Sequence, residues 1–189
     1  MRSLAPAPAF DRKGPNVQNT DGPFMKPLLR ISLFALLTFA LDRLSKIWVV
    51  DWMNLANRDI IEVWPPFLTY KMAWNEGVNF GFLGFGGDSM RWYLIALALV
   101  IVLALLIWQR RAKGWLVPVA TGLVVGGALG NVWDRVLFGA VADFLNVSCC
   151  GINNPFAFNL ADAFIFIGVV GLIIWGDRAK PKKQRTLSR

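Results

Sequence analysis

Four long apolar runs dominate the chain, and each is long enough to cross a bilayer as a helix. About 20 mostly apolar residues are needed to span roughly 30 Å of hydrocarbon. Four charged residues interrupt the first run, whereas the second and third carry none. We therefore predict an all-α integral membrane protein with four transmembrane helices. These helices run from Leu28 to Val50, from Trp92 to Trp108, from Trp115 to Trp133 and from Phe156 to Gly176.

The first run has a second interpretation, as a cleavable signal peptide. A signal peptide ends in a small-residue cleavage site of the A-x-A kind, and none follows this run at a suitable distance. Trp48 and Trp52 suit an anchored helix end instead, because amphipathic rings settle at the level of the lipid headgroups. We interpret the run as a membrane helix.

Residues 51–90, between the first two runs, have a different pattern. The segment FLTYKMAWNEGVNFGFLGF mixes aromatic and β-branched residues with glycine in rough alternation, which is typical of short strands. We predict strands at the membrane surface here, with a plain amphipathic loop as the alternative. Gly84, Gly86 and Gly87 would give a mobile strip beside them.

Positive charges predict the orientation of the chain. Of twenty Lys and Arg residues, five lie at or before Arg30, three between Arg110 and Lys113, and six after Gly176. Because Lys and Arg favour the cytoplasmic side of short loops, both termini should be cytoplasmic. The predicted organisation is a disordered extension over residues 1–24, a membrane domain over residues 25–177 and a basic cytoplasmic tail over residues 178–189.

Composition agrees with a membrane protein and limits the chemistry. The sequence is 56% hydrophobic and 17% charged, against about 25% charged for an ordinary soluble domain. With no histidine and two cysteines, the usual ligands for zinc or haem are too few, so we expect no metal and no cofactor. The neighbours Cys149 and Cys150 can pair with each other, with a second chain or not at all, and free thiols are the favoured interpretation.

Polar side chains within the apolar runs fall at one depth. Taking about 1.5 Å per residue, Asp42, Asn131 and Asp162 lie about 21, 24 and 21 Å from the cytoplasmic ends of their helices. Asp143 lies in the short connection between the third and fourth runs, from which it can fold back to the same level. Four regions of the sequence therefore bring carboxylates and amides to one layer near the outer face.

Asp143 and Asp162 have no basic residue between them. An unpaired carboxylate at that depth costs several kcal/mol unless it is protonated or reaches water. Two neighbouring carboxyl groups can share one proton, so that one is neutral while the other is ionised. Such a pair can activate water and protonate a leaving nitrogen, which predicts peptide hydrolysis by an aspartyl dyad. The alternative is that each carboxylate caps a helix or bonds backbone amides at the interface.

Other polar residues have simpler interpretations. Asp134 and Arg135 are predicted to form an internal ion pair, with substrate contact as a second role of Arg135. Asp42 and Lys46, four positions apart, are predicted to pair in the same way. Glycines recurring at every fourth position favour close helix packing in lipid, and these are Gly122, Gly126 and Gly130.

Two other classes of function remain open on the residues alone. In a small transporter or channel subunit the carboxylates would relay protons, but a relay favours ionisable groups at several depths rather than one. A magnesium-dependent transfer on a lipid phosphate would use Asp143 and Asp162 as ligands. Basic residues for the phosphate are scarce on the outer side, which ranks that class lower.

Five ordered sequence blocks resemble the motifs of lipoprotein signal peptidases, the signal peptidase II family. The blocks are LDRLSK from Leu41, NEGVNFGF from Asn75, GALGNVWDR from Gly127, GAVADF from Gly139 and FNLADAF from Phe158. The resemblance implies an intramembrane aspartyl endopeptidase of the bacterial inner membrane, with four transmembrane helices and a small extracytoplasmic β-sheet region. It implies a site near the outer face that cuts prolipoproteins before a cysteine carrying diacylglycerol.

The resemblance also implies roles for individual residues. Asp143 and Asp162 match the catalytic pair of the family. We expect the enzyme to act as a monomer on its lipid-modified substrate among membrane lipids, with no nucleic-acid partner. The residues expected to bind substrate or support the pair are Asp42, Lys46, Asn75, Gly77, Asn131, Asp134, Arg135, Asn159 and Ala161.

Overall fold

A computed structural model describes residues 25–77, 88–109, 112, 114–149 and 154–176. The predicted extension over residues 1–24, the whole predicted tail over residues 178–189, the glycines at 84, 86 and 87, and Cys150 lie outside these ranges. The helices are α1 Met25–Lys46, α2 Leu55–Arg58, α3 Asp88–Gln109, α4 Leu116–Phe138 and α5 Leu160–Trp175, and a π-helical segment, Ile47–Trp52, continues α1.

The four predicted membrane helices correspond to α1, α3, α4 and α5, with several boundaries corrected. Helix α3 begins at Asp88 rather than Trp92, and α4 continues to Phe138 rather than ending at Trp133. The helix predicted to begin at Phe156 begins instead at Leu160, because Asn159 is its N-cap and residues 156–158 are not helical. Helix α4 ends at its C-cap Gly139, whose φ of 85° is in the left-handed region that glycine adopts without strain.

Two of these helices meet the requirements of a membrane span. Ser89–Gln109 and Leu116–Phe138 are long and apolar enough to cross a bilayer, whereas the apolar helix Leu160–Trp175 is shorter. A total of four transmembrane helices therefore stays a prediction.

Helix α4 is the centre of the fold and packs against α1, α3 and α5. The predicted close packing along its glycine stripe is confirmed. A Cβ atom at Gly122 would lie 2.9 Å from the carbonyl oxygen of Ile31, and one at Gly126 would collide with the carbonyl of Ala35. The side chain of Asp42 occupies the space beside Gly130, so this stripe brings a carboxylate of α1 directly against α4.

A three-stranded antiparallel sheet of order β1-β2-β3 lies beyond the helices, and its strands are β1 Ile60–Trp64, β2 Leu68–Asn75 and β3 Val141–Val147. The prediction of strands in the segment after the first helix is confirmed for β1 and β2. The third strand comes from the connection between α4 and α5, so Asp143 lies on a strand rather than in a loop. Ala73 of β2 is the partner of Asp143 across the ladder.

The sheet has its own small hydrophobic core. Phe144 of β3 packs with Val49 and Leu55, and all three are buried. The Phe144 ring meets Tyr70 edge to face at 5.8 Å, an arrangement that aromatic pairs favour. This packing fixes β3 against the π-helical segment that continues the C-terminal end of α1.

Cys149, just after β3, is disulfide-bonded. The interpretation of free thiols was therefore wrong for this residue. The residues around Cys149 do not indicate whether the cysteine is paired or free.

Candidate active site

Asp143 lies near the middle of β3 and is buried, with 3% of its surface exposed. Two amides hold its carboxylate. Asn75 of β2 donates from Nδ2 to Oδ2 at 3.0 Å, and Asn159 donates from Nδ2 to Oδ1 at 2.6 Å. Burial raises the pKa of Asp143 to about 6, against the lowering effect of the Asn75 hydrogen bond and with a further rise from the charge of Asp162.

Asp162 lies in the first turn of α5, where a reciprocal capping box fixes it. The Asp162 backbone N–H donates to Asn159 Oδ1 at 3.0 Å, and the Asn159 backbone N–H donates to Asp162 Oδ2 at 3.2 Å. Asn131 of α4 donates from Nδ2 to the other carboxylate oxygen at 2.8 Å. Asp162 therefore takes part in a helix cap, which was the alternative interpretation of this carboxylate. Its position suits an anion, because helix N-termini carry partial positive charge.

Amides connect the two carboxylates. Asn159 Nδ2 donates both to Asp143 and, at 3.2 Å, to Asn131 Oδ1, while Asn131 Nδ2 donates to Asp162. The two side chains therefore link the carboxylates in a row, because Asn159 bonds Asp143, Asn131 bonds Asp162, and the two amides bond each other. The structure brings together the four residues Asp143, Asp162, Asn131 and Asn159, which come from three sequence blocks.

A buried cluster of four charges lies beside this pair, formed by Asp42, Arg43, Lys46 and Asp134. Lys46 Nζ lies 3.0 Å from Asp42 Oδ2 and 2.6 Å from Asp134 Oδ2. Arg43 bridges the same carboxylates, at 2.9 Å to Asp42 and 2.6 Å to Asp134. The predicted pairing of Asp42 with Lys46 is confirmed.

The predicted ion pair between Asp134 and Arg135 is wrong. The Asp134 carboxylate faces α1, where Lys46 and Arg43 neutralise it. Arg135 is half-buried and donates from Nη1 to the Asn131 carbonyl oxygen at 3.4 Å. Its charge interacts most strongly with Asp162, so Arg135 belongs to the side of the site that holds the carboxylate pair.

The charge cluster is attached to the backbone next to both carboxylates of the pair. Asp42 Oδ1 accepts a hydrogen bond from the Ala161 backbone N–H at 3.1 Å. Asp134 Oδ2 accepts one from the Ala142 backbone N–H at 3.3 Å. Ala161 directly precedes Asp162, and Ala142 directly precedes Asp143. The charge cluster therefore holds the backbone immediately before each aspartate of the pair.

Gly77 supports the site through Asn75. Its backbone N–H donates to Asn75 Oδ1 at 2.9 Å, which turns the Asn75 amide nitrogen toward Asp143. The φ of Gly77 is 97°, a left-handed conformation that other residues rarely adopt. Residues 78–82, the second part of the NEGVNFGF block, lie outside the described residues.

Two cavities lie elsewhere in the described part of the chain. One of about 570 Å³ is an apolar groove between α1, α3 and α4. A second, of about 390 Å³, is lined by Arg43, Lys46, Asp134, Trp133 and Ala142. Because successive side chains of a strand point to opposite faces, this second cavity lies behind β3 relative to Asp143.

Sequence reasoning missed Arg43. Its neighbours Asp42 and Lys46 are among the predicted site residues, whereas Arg43 is one of the four charged residues that interrupt the first apolar run. The signal available was the D-R-x-x-K spacing, which puts two cations within one turn of a carboxylate. Its bond to Asp134 depends on how α1 packs against α4, which the sequence does not state.

Comparison with known proteins identifies relatives over most of the chain. A family model described as signal peptidase (SPase) II matches residues 34–176. A lipoprotein signal peptidase of Methylorubrum extorquens is 42% identical over 160 residues, which cover 83% of this chain and 91% of that protein. Two solved structures of a bacterial membrane enzyme, determined by the in meso method, are also similar. One has a TM-score of 0.61 at 28% identity and covers 84% of this chain and 94% of its own. The other has a TM-score of 0.64 at 30% identity, with 76% and 90% covered.

Proposed function

The chain belongs to the signal peptidase (SPase) II family, and we propose that it is an intramembrane aspartyl endopeptidase that removes the signal peptide from bacterial prolipoproteins. The cut falls on the N-terminal side of a cysteine that carries diacylglycerol. The observation that carries the aspartyl mechanism is the shared amide network, in which Asn159 bonds Asp143 while its cap and Asn131 hold Asp162.

In this proposal Asp143 carries the proton and Asp162 is ionised. Burial of Asp143 favours its neutral form, and the position of Asp162 in the first turn of a helix favours a negative charge. Asp162 takes a proton from water as the water oxygen attacks the scissile carbonyl carbon. Asp143 donates a hydrogen bond to the carbonyl oxygen and then gives its proton to the leaving nitrogen as the C–N bond breaks. Transfer of the proton from Asp162 back to Asp143 restores the starting state.

Neighbouring side chains prepare this step without exchanging protons. Asn75, Asn131 and Asn159 fix the two carboxylates through the bonds described above. Arg135, whose charge interacts with both carboxylates of the pair, contacts the substrate backbone in this proposal. The remaining supporting residues act through the backbone or through the charge cluster, and they are Asp42, Lys46, Gly77, Asp134 and Ala161.

The proposed setting is the bacterial inner membrane. Helices α1, α3, α4 and α5 span it, both termini are cytoplasmic, and the sheet with the site lies at the outer face. Residues 25–177 form the peptidase domain with a β-rich insert at about 51–90, between an N-terminal extension and a basic tail. The enzyme acts as a monomer on a substrate held beside it in the lipid.

Cleavage of a diacylglyceryl-modified prolipoprotein by purified protein tests the activity. Asp143→Asn and Asp162→Asn should each fold and lose cleavage by roughly 10²- to 10⁴-fold, because amides keep the shape but cannot exchange the proton. The double variant should be scarcely slower than either single variant, since the two groups act as one unit. EDTA should leave the wild-type rate unchanged. Near wild-type cleavage by either Asn variant would remove these residues from the mechanism.

Thiol labelling in intact cells tests the orientation. Glu62 is exposed on β1, so Glu62→Cys should react with an impermeant reagent. Ala112, between α3 and α4, should be protected as Ala112→Cys until the membrane is opened. The reverse pattern would place the site on the cytoplasmic side.

The acyl chains of the substrate are expected to position it rather than to supply binding energy. Burying acyl CH₂ groups in the protein gains little when they already lie in hydrocarbon. Equal cleavage of modified and unmodified substrate would contradict a role for the lipid.

A further inference from the structure

We propose that Arg43 is a positioning residue for the reaction, which holds the two anchoring carboxylates of the buried charge cluster and keeps that cluster electrically neutral beside the aspartyl pair. The inference rests on the proposed function and adds a residue that the sequence motifs do not assign.

The geometry gives Arg43 a role that Lys46 does not fill alone. Its guanidinium reaches Asp42 Oδ2 from Nη2 and Asp134 Oδ1 from Nη1. Lys46 bonds Asp42 Oδ2 and Asp134 Oδ2. Asp134 Oδ1 accepts no hydrogen bond from the described residues, and Arg43 is the cation that forms an ion pair with it. A planar fork can hold two carboxylates in fixed directions, whereas an ammonium is a point charge on a flexible stem.

The two carboxylates that Arg43 holds are those that anchor the aspartyl pair. Asp42 accepts the N–H of Ala161, and Asp134 accepts the N–H of Ala142. If the side chain of Asp42 or Asp134 rotates, the alanine bonded to it shifts, and so does the aspartate that follows that alanine. Displacement of a reacting group by about 1 Å can cost roughly 100-fold in rate. Arg43 therefore acts on Asp143 and Asp162 through the backbone.

Neutrality of the cluster is the second part of the role. Two carboxylates and two cations balance, and loss of the Arg43 charge leaves one net negative charge close to the pair. The charge of Lys46 already favours the ionised form of Asp143, so the field of the cluster reaches that carboxyl group. An added negative charge stabilises the protonated form. The charged groups that act on the pair are Asp42, Arg43 and Lys46 of α1, and Asp134 and Arg135 of α4.

The test compares Arg43→Gln and Arg43→Lys with wild type, by the pH dependence of prolipoprotein cleavage. Arg43→Gln should lower kcat by about tenfold or more and move the upper pH limb upward by roughly half a unit to one unit, with little change in KM. Arg43→Lys keeps the charge, so its pH limb should stay in place while kcat is intermediate.

Arg30→Gln is the matched control. It removes the same charge from the same helix, about 20 Å from Arg43 along the axis, where Arg30 bonds the Gly114 carbonyl and stacks on Trp115. Its kcat and pH profile should match wild type.

An infrared titration of the Asp143 carboxyl band, assigned with Asp143→Asn, measures the shift in the pKa of Asp143 and does not require cleavage. If wild type does not cleave, the proposed function fails, and the infrared titration still decides on the charge of Arg43. If wild type cleaves and Arg43→Gln matches it in kcat and pH limb, the positioning role is wrong. A wild-type kcat for Arg43→Lys would likewise refute the need for a two-pronged contact. If Arg43→Gln does not fold, the kcat of Arg43→Lys decides.

Discussion

Asn159 donates its side-chain amide to Asp143 across 2.6 Å. The same side chain accepts the backbone N–H of Asp162 through its oxygen. One residue, fully buried, thus fixes a strand carboxylate with one end of its amide and a helix start with the other.

Asn159→Ala should reduce cleavage more than it reduces stability. The change removes an N-cap, which costs about 1 kcal/mol, and leaves the Oδ1 atom of Asp143 without its donor. We expect kcat to fall roughly 10- to 100-fold, as Asp143 and Asp162 lose their common alignment. Steady-state cleavage and thermal unfolding in detergent measure the two effects. Asn57→Ala, on an exposed asparagine, should change neither. A loss of stability with normal kcat in the remaining folded protein would show a purely structural role.

The stability of the protein should depend on pH through Asp143. Its pKa is about 6 in the folded protein, against an ordinary value of 3.8, so between these values the folded state binds more protons than the unfolded state. The free energy of unfolding should therefore fall as pH rises from about 4 to about 6, by about 2 to 3 kcal/mol from this group. Unfolding in mixed micelles at several pH values, for wild type and Asp143→Asn, isolates the contribution as a difference. Equal pH dependence in both proteins would contradict it.

The pH dependence of cleavage should also reflect the ionisation of Asp143. A neutral Asp143 acts as the acid, so kcat/KM should decline as pH rises through about 6. A profile that instead rises through this range would assign the acid role to Asp162.

Asp134→Asn should reduce the amount of folded protein along with activity. The substitution leaves the buried Lys46 and Arg43 with one carboxylate between them, and breaking a buried ion pair costs roughly 3 to 5 kcal/mol. Adding Lys46→Met to Asp134→Asn should recover part of the stability, because it removes the uncompensated charge. Thermal unfolding measures both, with Glu62→Gln on exposed β1 as the control. Full stability of Asp134→Asn would mean that water solvates the uncompensated charge.

Gly126→Ala tests the packing of α4 against α1. The added methyl group would meet the carbonyl of Ala35 and the Cβ of Thr38, and overpacking of this kind costs about 1 to 3 kcal/mol. Gly176→Ala, which meets nothing within 4 Å, should be neutral by the same unfolding measurement. Equal stability of the two variants would show that α1 and α4 move apart without cost.

Much of the helical framework is readable in the sequence, because apolar runs of membrane length and a four-residue glycine spacing report directly on burial. The start of α5 was predicted four residues early because Phe156 to Phe158 are as apolar as the helix. The spacing of Asn159 and Asp162 was the available signal, since a cap residue followed three positions later by an acid marks a helix start.

The arrangement of charges was less predictable. Proximity in sequence suggested that Asp134 pairs with Arg135, yet its partners come from α1. Such pairs depend on which helix faces meet. The sequence pattern shows which residues share a face of one helix, but it does not show which other helix packs against that face. Asp162 and Asn131 are predicted to lie at similar depths, and their side chains are hydrogen-bonded at 2.8 Å. Depth is readable from the sequence because it is a distance along each helix.

Asp162 sits at the start of α5, the last helix of the described chain, and Asp143 lies on a strand that precedes it. Domains form from the N-terminus onward during synthesis, at about 5 to 20 residues per second. A nascent chain that has already inserted α4 and paired β3 with β2 therefore has only half of the proposed acid-base pair. The second half arrives when α5 reaches α4 and Ala161 meets Asp42. Formation of the proposed acid-base pair therefore depends on the docking of α5, which follows the other described elements of the site in the sequence.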